Sequence, residues 1–175
     1  MRQFLSFAFT FAFAGIALAH GPTPQKVEES IEIAAPAAKV WEIAKDFAGI
    51  SAWNPEVAKS EGNGGNAVDA TRTITLKSGG ELQDSIDEYN DKDMTYGYRL
   101  AKENVDAFPV SFYSASFTVK PKGDDASTVE WIGRFYRADT GNFPPEDKND
   151  AAAIAAMTKF FQAGLNGLKA KAEGK

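Results

Sequence analysis

A long amphipathic segment at the carboxyl end constrains this chain more than any other feature. From Asp150 to Glu173 the apolar residues Ile154, Met157, Phe161, Leu165 and Leu168 recur at helical spacing, with Lys159, Gln162, Asn166, Lys169 and Glu173 opposite. Pro144 and Pro145 precede the segment, Asp150 is the expected N-cap, and Lys169 and Lys171 suit the negative end of the helix dipole. A helix with one apolar stripe must bury it, and everything large upstream reads as strand. A third face carries Phe160, Gly164 and Gly167, where glycine lets backbone or ligand come close. A helix held against a curved sheet is expected to leave a cavity between the two. Any ligand site is therefore sought there.

Between residue 25 and this helix the chain reads as one antiparallel sheet with a helical insertion. Val27, Ile31 and Ile33 against Glu28, Ser30 and Glu32 give a first strand. Pro36 starts a helix that buries Val40, Trp41, Ile43 and Ala44, and a second short helix from Phe47 to Trp53 stops at Asn54-Pro55. Six strands are predicted to follow, over 57–61, 68–77, 80–89, 94–101, 110–120 and 127–137, separated by turn-rich breaks such as Ser78-Gly79 and Asn90-Asp91. No internal repeat or linker divides them.

The central hairpin admits a finer reading. A three-residue loop, Lys77-Ser78-Gly79, sets Ile74 against Leu82 and Arg72 against Asp84. A two-residue loop would set Ile74 against Gln83 and Arg72 against Ser85, so matched polarity and charge favour the first register. Arg72, Ile74, Leu82, Asp84 and Ile86 then share the concave face under the last helix. The Arg72–Asp84 pair has two readings: it orients a polar ligand group or moves a proton, or it is a structural ion pair. Trp53, Tyr98, Tyr113, Trp131, Phe160 and Gly164 complete the candidate pocket. Trp131 and Phe135 read more naturally as core, as do Phe108, Phe112 and Phe117.

The beginning of the chain carries an address. Arg2 opens a short positive region, Phe4 to Leu18 is almost wholly apolar, and Ala17 and Ala19 occupy the small-residue positions before His20. This predicts a signal peptide over residues 1–19, cleaved after Ala19, a periplasmic location and a single mature domain over 20–175. The apolar stretch is shorter than the roughly 20 residues a spanning helix needs, so no membrane association is expected after cleavage. The chain has 24 acidic against 19 basic residues, a net charge of -5. That balance argues against nucleic acid, which needs a basic footprint, and suits a basic protein partner. Cysteine is absent and His20 is the one histidine. Thiolate nucleophiles, histidine triads and zincin sites are thereby excluded, and an N-terminal copper brace would need a second histidine. No cofactor, metal ligand set or catalytic residue is expected.

Taken in order, these segments resemble the START-like, Bet v 1-like helix-grip superfamily, and within it the polyketide cyclase/dehydrase branch called SRPBCC. The resemblance rests on Ile33-Ala34-Ala35-Pro36-Ala37-Ala38-Lys39-Val40-Trp41, Trp53-Asn54-Pro55, Arg72 with Gly80 and Leu82, Tyr98-Arg99-Leu100, Trp131-Ile132-Gly133-Arg134-Phe135 and Gly164-Leu165-Asn166-Gly167-Leu168. It implies an α+β fold: a curved antiparallel sheet wrapped around a long C-terminal helix, with two short helices after strand 1. Many such proteins carry Glu after the hairpin leucine, and the shorter Asp84 alters what a pocket accepts. The leader, the length and the Ala-rich last helix further resemble MxaD-type periplasmic proteins of methylotrophs. That implies a non-enzymatic accessory to electron transfer from methanol dehydrogenase to its cytochrome c. A carrier of a small apolar ligand in the helix-grip cavity is the alternative reading, and a polyketide cyclase-like enzyme the third.

Overall fold

The computed structural model describes residues 21–175; the expected leader, the expected cleavage point and His20 lie outside them. Seven strands form one antiparallel sheet: β1 (Gln25–Ile33), β2 (Val57–Asn63), β3 (Thr71–Leu76), β4 (Glu81–Asn90), β5 (Thr95–Lys102), β6 (Val110–Pro121) and β7 (Ser127–Arg137). Their spatial order, β1-β7-β6-β5-β4-β3-β2, is a meander with the first strand returned beside the last. Helix α1 (Ala37–Ala44) and a 3-10 turn (Phe47–Ala52) follow β1, and α2 (Asp150–Glu173) closes the molecule. This is the helix-grip architecture.

Alternation places Ile74, Leu82, Ile86, Tyr96, Tyr98, Phe117, Val129, Trp131 and Phe135 on the concave face, all buried. Facing them, α2 buries Ala153, Met157, Phe160, Phe161, Gly164, Leu165 and Leu168. Ile154, expected in that stripe, is 37% exposed. The helix is rolled so that Phe160 and Gly164, assigned from sequence to a separate face, lie inside it. The cause is close packing at Gly167, where a Cβ would stand 2.0 Å from the Trp53 carbonyl oxygen.

The cap also differs by one residue from expectation. Asn149, in extended backbone, accepts from the Ala152 amide, while Asp150 is already helical and pairs with Arg137 at 3.0 Å. Strand β3 begins at Thr71 rather than Val68. Asp69 has φ of 66°, a left-handed conformation that ends a strand, and Val68 is exposed. The hairpin register is the one matched charges required: Ile74 faces Leu82 and Arg72 faces Asp84, with Gly79 at φ 98° in the loop.

Candidate functional site

The β3–β4 hairpin carries its ion pair into the interior: Arg72 is 1% exposed and Asp84 0%. Arg72 Nε and Nη2 each stand 2.9 Å from Asp84 Oδ2, and Nη1 donates to the Phe47 carbonyl at 2.9 Å. The guanidinium also lies 4.0 Å from the Phe47 ring centre and 4.7 Å from that of Tyr98, so both rings shield its charge. From β6, the Tyr113 hydroxyl donates to Asp84 Oδ1. Tyr98, on β5 between them, accepts from the Trp131 indole at 2.9 Å.

Electrostatics follow from this enclosure. Burial pushes the Asp84 carboxyl up, with Arg72 and the Tyr113 hydroxyl pulling against it. Burial is the largest influence on Arg72 and disfavours its cation, but Asp84 together with Tyr98, Tyr96 and Tyr113 outweighs it and holds that pKa above its ordinary value. Burial first, then the Asp84 charge, drives the Tyr113 phenol well above its usual range, so it stays a donor. Both carboxylate oxygens are bonded. Oδ2 accepts twice and Oδ1 once, so one acceptor position on Oδ1 is left beyond the bonds to Arg72 and Tyr113.

The space beside this network is small. Between sheet and α2 lies a void of about 10 Å³, lined by Asp84, Tyr98, Tyr113, Phe160, Ile74 and Leu82 among others. That holds one water at most. The expected cavity is occupied by aromatic side chains. Trp131 stacks on Phe161 at 4.3 Å, meets Phe160 at 5.8 Å and Trp53 at 5.6 Å, while Phe108 closes edge-on against Phe160 at 5.9 Å. Four candidates from sequence, Asp84, Tyr98, Tyr113 and Phe160, thus line the void. Arg72 sits behind Asp84. Trp53, Trp131 and Gly164 form the packed joint between α2 and the sheet. A Cβ on Gly164 would stand 2.8 Å from both Asn54 Nδ2 and the Trp131 ring, so its bareness admits protein rather than ligand.

Sequence reasoning passed over Phe47, whose carbonyl and ring hold Arg72, and gave Phe108 no part in closing the void. Asn54 was read only as a helix end; it is buried, donates to the Phe160 carbonyl at 3.3 Å and accepts from the Glu56 amide at 3.0 Å. The exception in the aromatic stretch is Phe112, expected in the core but 71% exposed. It occupies a bulge between Ser111 and Ser114 with φ of 46°. Among the described residues no group of His, Cys, Asp or Glu could hold a metal ion, and no helix is long and apolar enough to cross a membrane.

Residues 24–173 match the family described as polyketide cyclase/dehydrase and lipid transport. The chain belongs to this family. Solved structures repeat its fold. A protein of uncharacterised function from Bacillus thuringiensis is 24% identical, aligning 86% of this chain with all of its own at a TM-score of 0.71. XoxI from Bacillus cereus is 24% identical, with 83% and 94% covered and a TM-score of 0.69. The ZhuI aromatase/cyclase from Streptomyces sp. R1128 is 18% identical, with 86% and 94% covered and a TM-score of 0.72. At these identities the likeness is one of fold. No curated protein matches the sequence.

Proposed function

We propose that this family member is an exported, non-enzymatic accessory protein that works through its outer surface, assisting electron transfer from methanol dehydrogenase to its cytochrome c. The observation that carries the reading is the filled interior. A void of about 10 Å³ is far below the ~300–1,000 Å³ of ordinary ligand pockets, and Asp84 beside it is already bonded to Arg72 and Tyr113. The apolar leader pattern from Phe4 to Leu18 and the surplus of acids support the cellular setting and a basic partner. Reconstituting purified methanol dehydrogenase and its cytochrome c with and without the mature protein tests it. Faster reduction of the cytochrome at low salt is expected; no stimulation refutes the reading.

One feature favours the carrier alternative. Phe108 and Phe160 stand between the inner void and a surface cleft of about 130 Å³. Rotation of either ring would join the two into an apolar site. A rise in melting temperature with a small aromatic hydrocarbon, abolished by Phe160→Trp, would decide for it. A ring-forming enzyme, suggested by the ZhuI likeness, would have to use Asp84 and the tyrosines for proton transfer. Turnover of an aromatic polyketide by the isolated protein is its test.

A further inference from the structure

Two phenylalanines that could have been buried are instead displayed at one end of the molecule. Phe112 is 71% and Phe143 95% exposed. Backbone pairing brings their segments together: Ser111 faces Tyr136, Ser111 Oγ donates to the Arg137 carbonyl at 2.8 Å, and the Ala138 amide donates to Pro109 at 3.2 Å. Arg137 then fixes the loop that carries Phe143. Its Nε donates to the Asp139 carbonyl at 2.6 Å, Nη2 to the Gly141 carbonyl at 2.8 Å, and Nη1 pairs with Asp150 on α2 at 3.0 Å. Lys148 ties the same loop to Asp106 of the β5–β6 loop at 2.5 Å. The segments that carry the two exposed rings are therefore braced against one another.

Phe112 itself sits on left-handed backbone. Its φ of 46° is one that side-chain-bearing residues adopt at a cost, and the bulge leaves this ring outside the sheet while its neighbours Ser111 and Tyr113 are buried. Around the two rings, segments 103–106 and 138–150 hold six carboxylates and one lysine: Glu103, Asp106, Asp139, Glu146, Asp147 and Asp150 against Lys148. Asp106 and Asp150 are paired with Lys148 and Arg137. Glu103, Glu146 and Asp147 are exposed. Arg134, exposed across the strand pair from Ser114, is the cation nearest the bulge in register.

We propose that this end, centred on Phe112 and Phe143, is a docking surface for a protein that presents an apolar patch ringed by lysine or arginine. Exposed aromatic anchors inside a charged rim are the usual make-up of a protein-binding hot spot. The negative rim selects a cationic partner and speeds encounter, and it disfavours an anionic lipid surface. The proposal deepens the accessory reading and rests on it for the identity of the partner, but not for the location of the surface.

The test is an amide NMR titration of labelled mature protein with three cation-bearing probes: methanol dehydrogenase, its cytochrome c, and a basic c-type cytochrome with a lysine-ringed haem edge. Perturbations confined to residues 103–112 and 136–150 are expected for at least one, fading as salt rises. The double variant F112S/F143S should bind about tenfold or more weakly. Phe112→Gly should also bind weakly while melting within a few degrees of wild type, because glycine accepts the left-handed φ. Perturbation elsewhere, no perturbation by any probe, or wild-type affinity in the Phe variants overturns the surface. So does salt-independent, Phe-dependent binding to phosphatidylcholine vesicles, which would assign the rings to lipid. If wild type and F112S/F143S stimulate electron transfer alike, the accessory reading stands and this surface falls. Localised binding without stimulation leaves the surface and removes the reading.

Discussion

Arg72 carries a full positive charge with 1% of its surface exposed, and what makes this tolerable is the completeness of its shell. Asp84, the Phe47 carbonyl and two aromatic faces replace the water that burial removed. Removing one member leaves the other charged and unpaired. Arg72→Met should therefore cost about 3–5 kcal/mol of stability in urea or thermal melts. The double variant R72M/D84L should recover much of that loss, since it removes the stranded charge as well. Tyr113→Phe deletes the donor to Asp84 Oδ1 and should cost about 1–3 kcal/mol by the same measurement, an unsatisfied buried acceptor being the cause.

At the scale of elements, α2 is positioned by contacts too close for any side chain. Helix propensity alone says that Gly167→Ala should stabilise by ~1 kcal/mol. The Cβ would meet the Trp53 carbonyl at 2.0 Å, so the helix would have to move off the sheet. A net loss of about 1–3 kcal/mol in chemical denaturation is expected, with loss of near-ultraviolet dichroism from the Trp53–Trp131–Phe161 cluster. At the other end of α2, Asn149→Ala removes the cap on the Ala152 amide and should cost about 1 kcal/mol, whereas Asp150→Ala tests the pair with Arg137 instead.

Across the whole molecule, the last turn of α2 is fastened to the first crossover by one carboxylate. Glu173 accepts from Lys175 at 2.6 Å, from the Ala34 amide at 2.9 Å and from Lys169 at 3.2 Å. The Lys175 contact foremost, then the Ala34 amide and Lys169, hold its pKa down at about 2. A depressed carboxylate adds stability above its unfolded pKa of ~4.5 and loses it as pH falls toward 2. Acid titration of the melting temperature should show the gap between wild type and Glu173→Gln closing across that window, and unchanged between pH 6 and 8. The surplus of acids acts at the same scale. If the proposed accessory role holds and docking is electrostatic, stimulation of electron transfer should fade toward 1 M salt, where screening shortens to ~3 Å.

Periodicity and turn chemistry alone determined the strand series, the long closing helix and the hairpin register, because these depend on neighbours close in sequence. The pairing of Arg72 with Asp84 was legible for that reason: one glycine-containing loop sets the register, and alternation sends both to the same face. The void's size, the roll of α2 and the exposure of Phe112 were not legible. Each depends on volumes brought together from distant segments. The space under α2 is what Trp53, Trp131, Phe160 and Phe161 leave after packing, the roll follows from one glycine against a carbonyl 114 positions earlier, and Phe112 escapes through a bulge that only the β6–β7 pairing reveals. Local pattern chose the elements. Close packing among residues far apart in the chain decided whether they enclose a pocket or fill it.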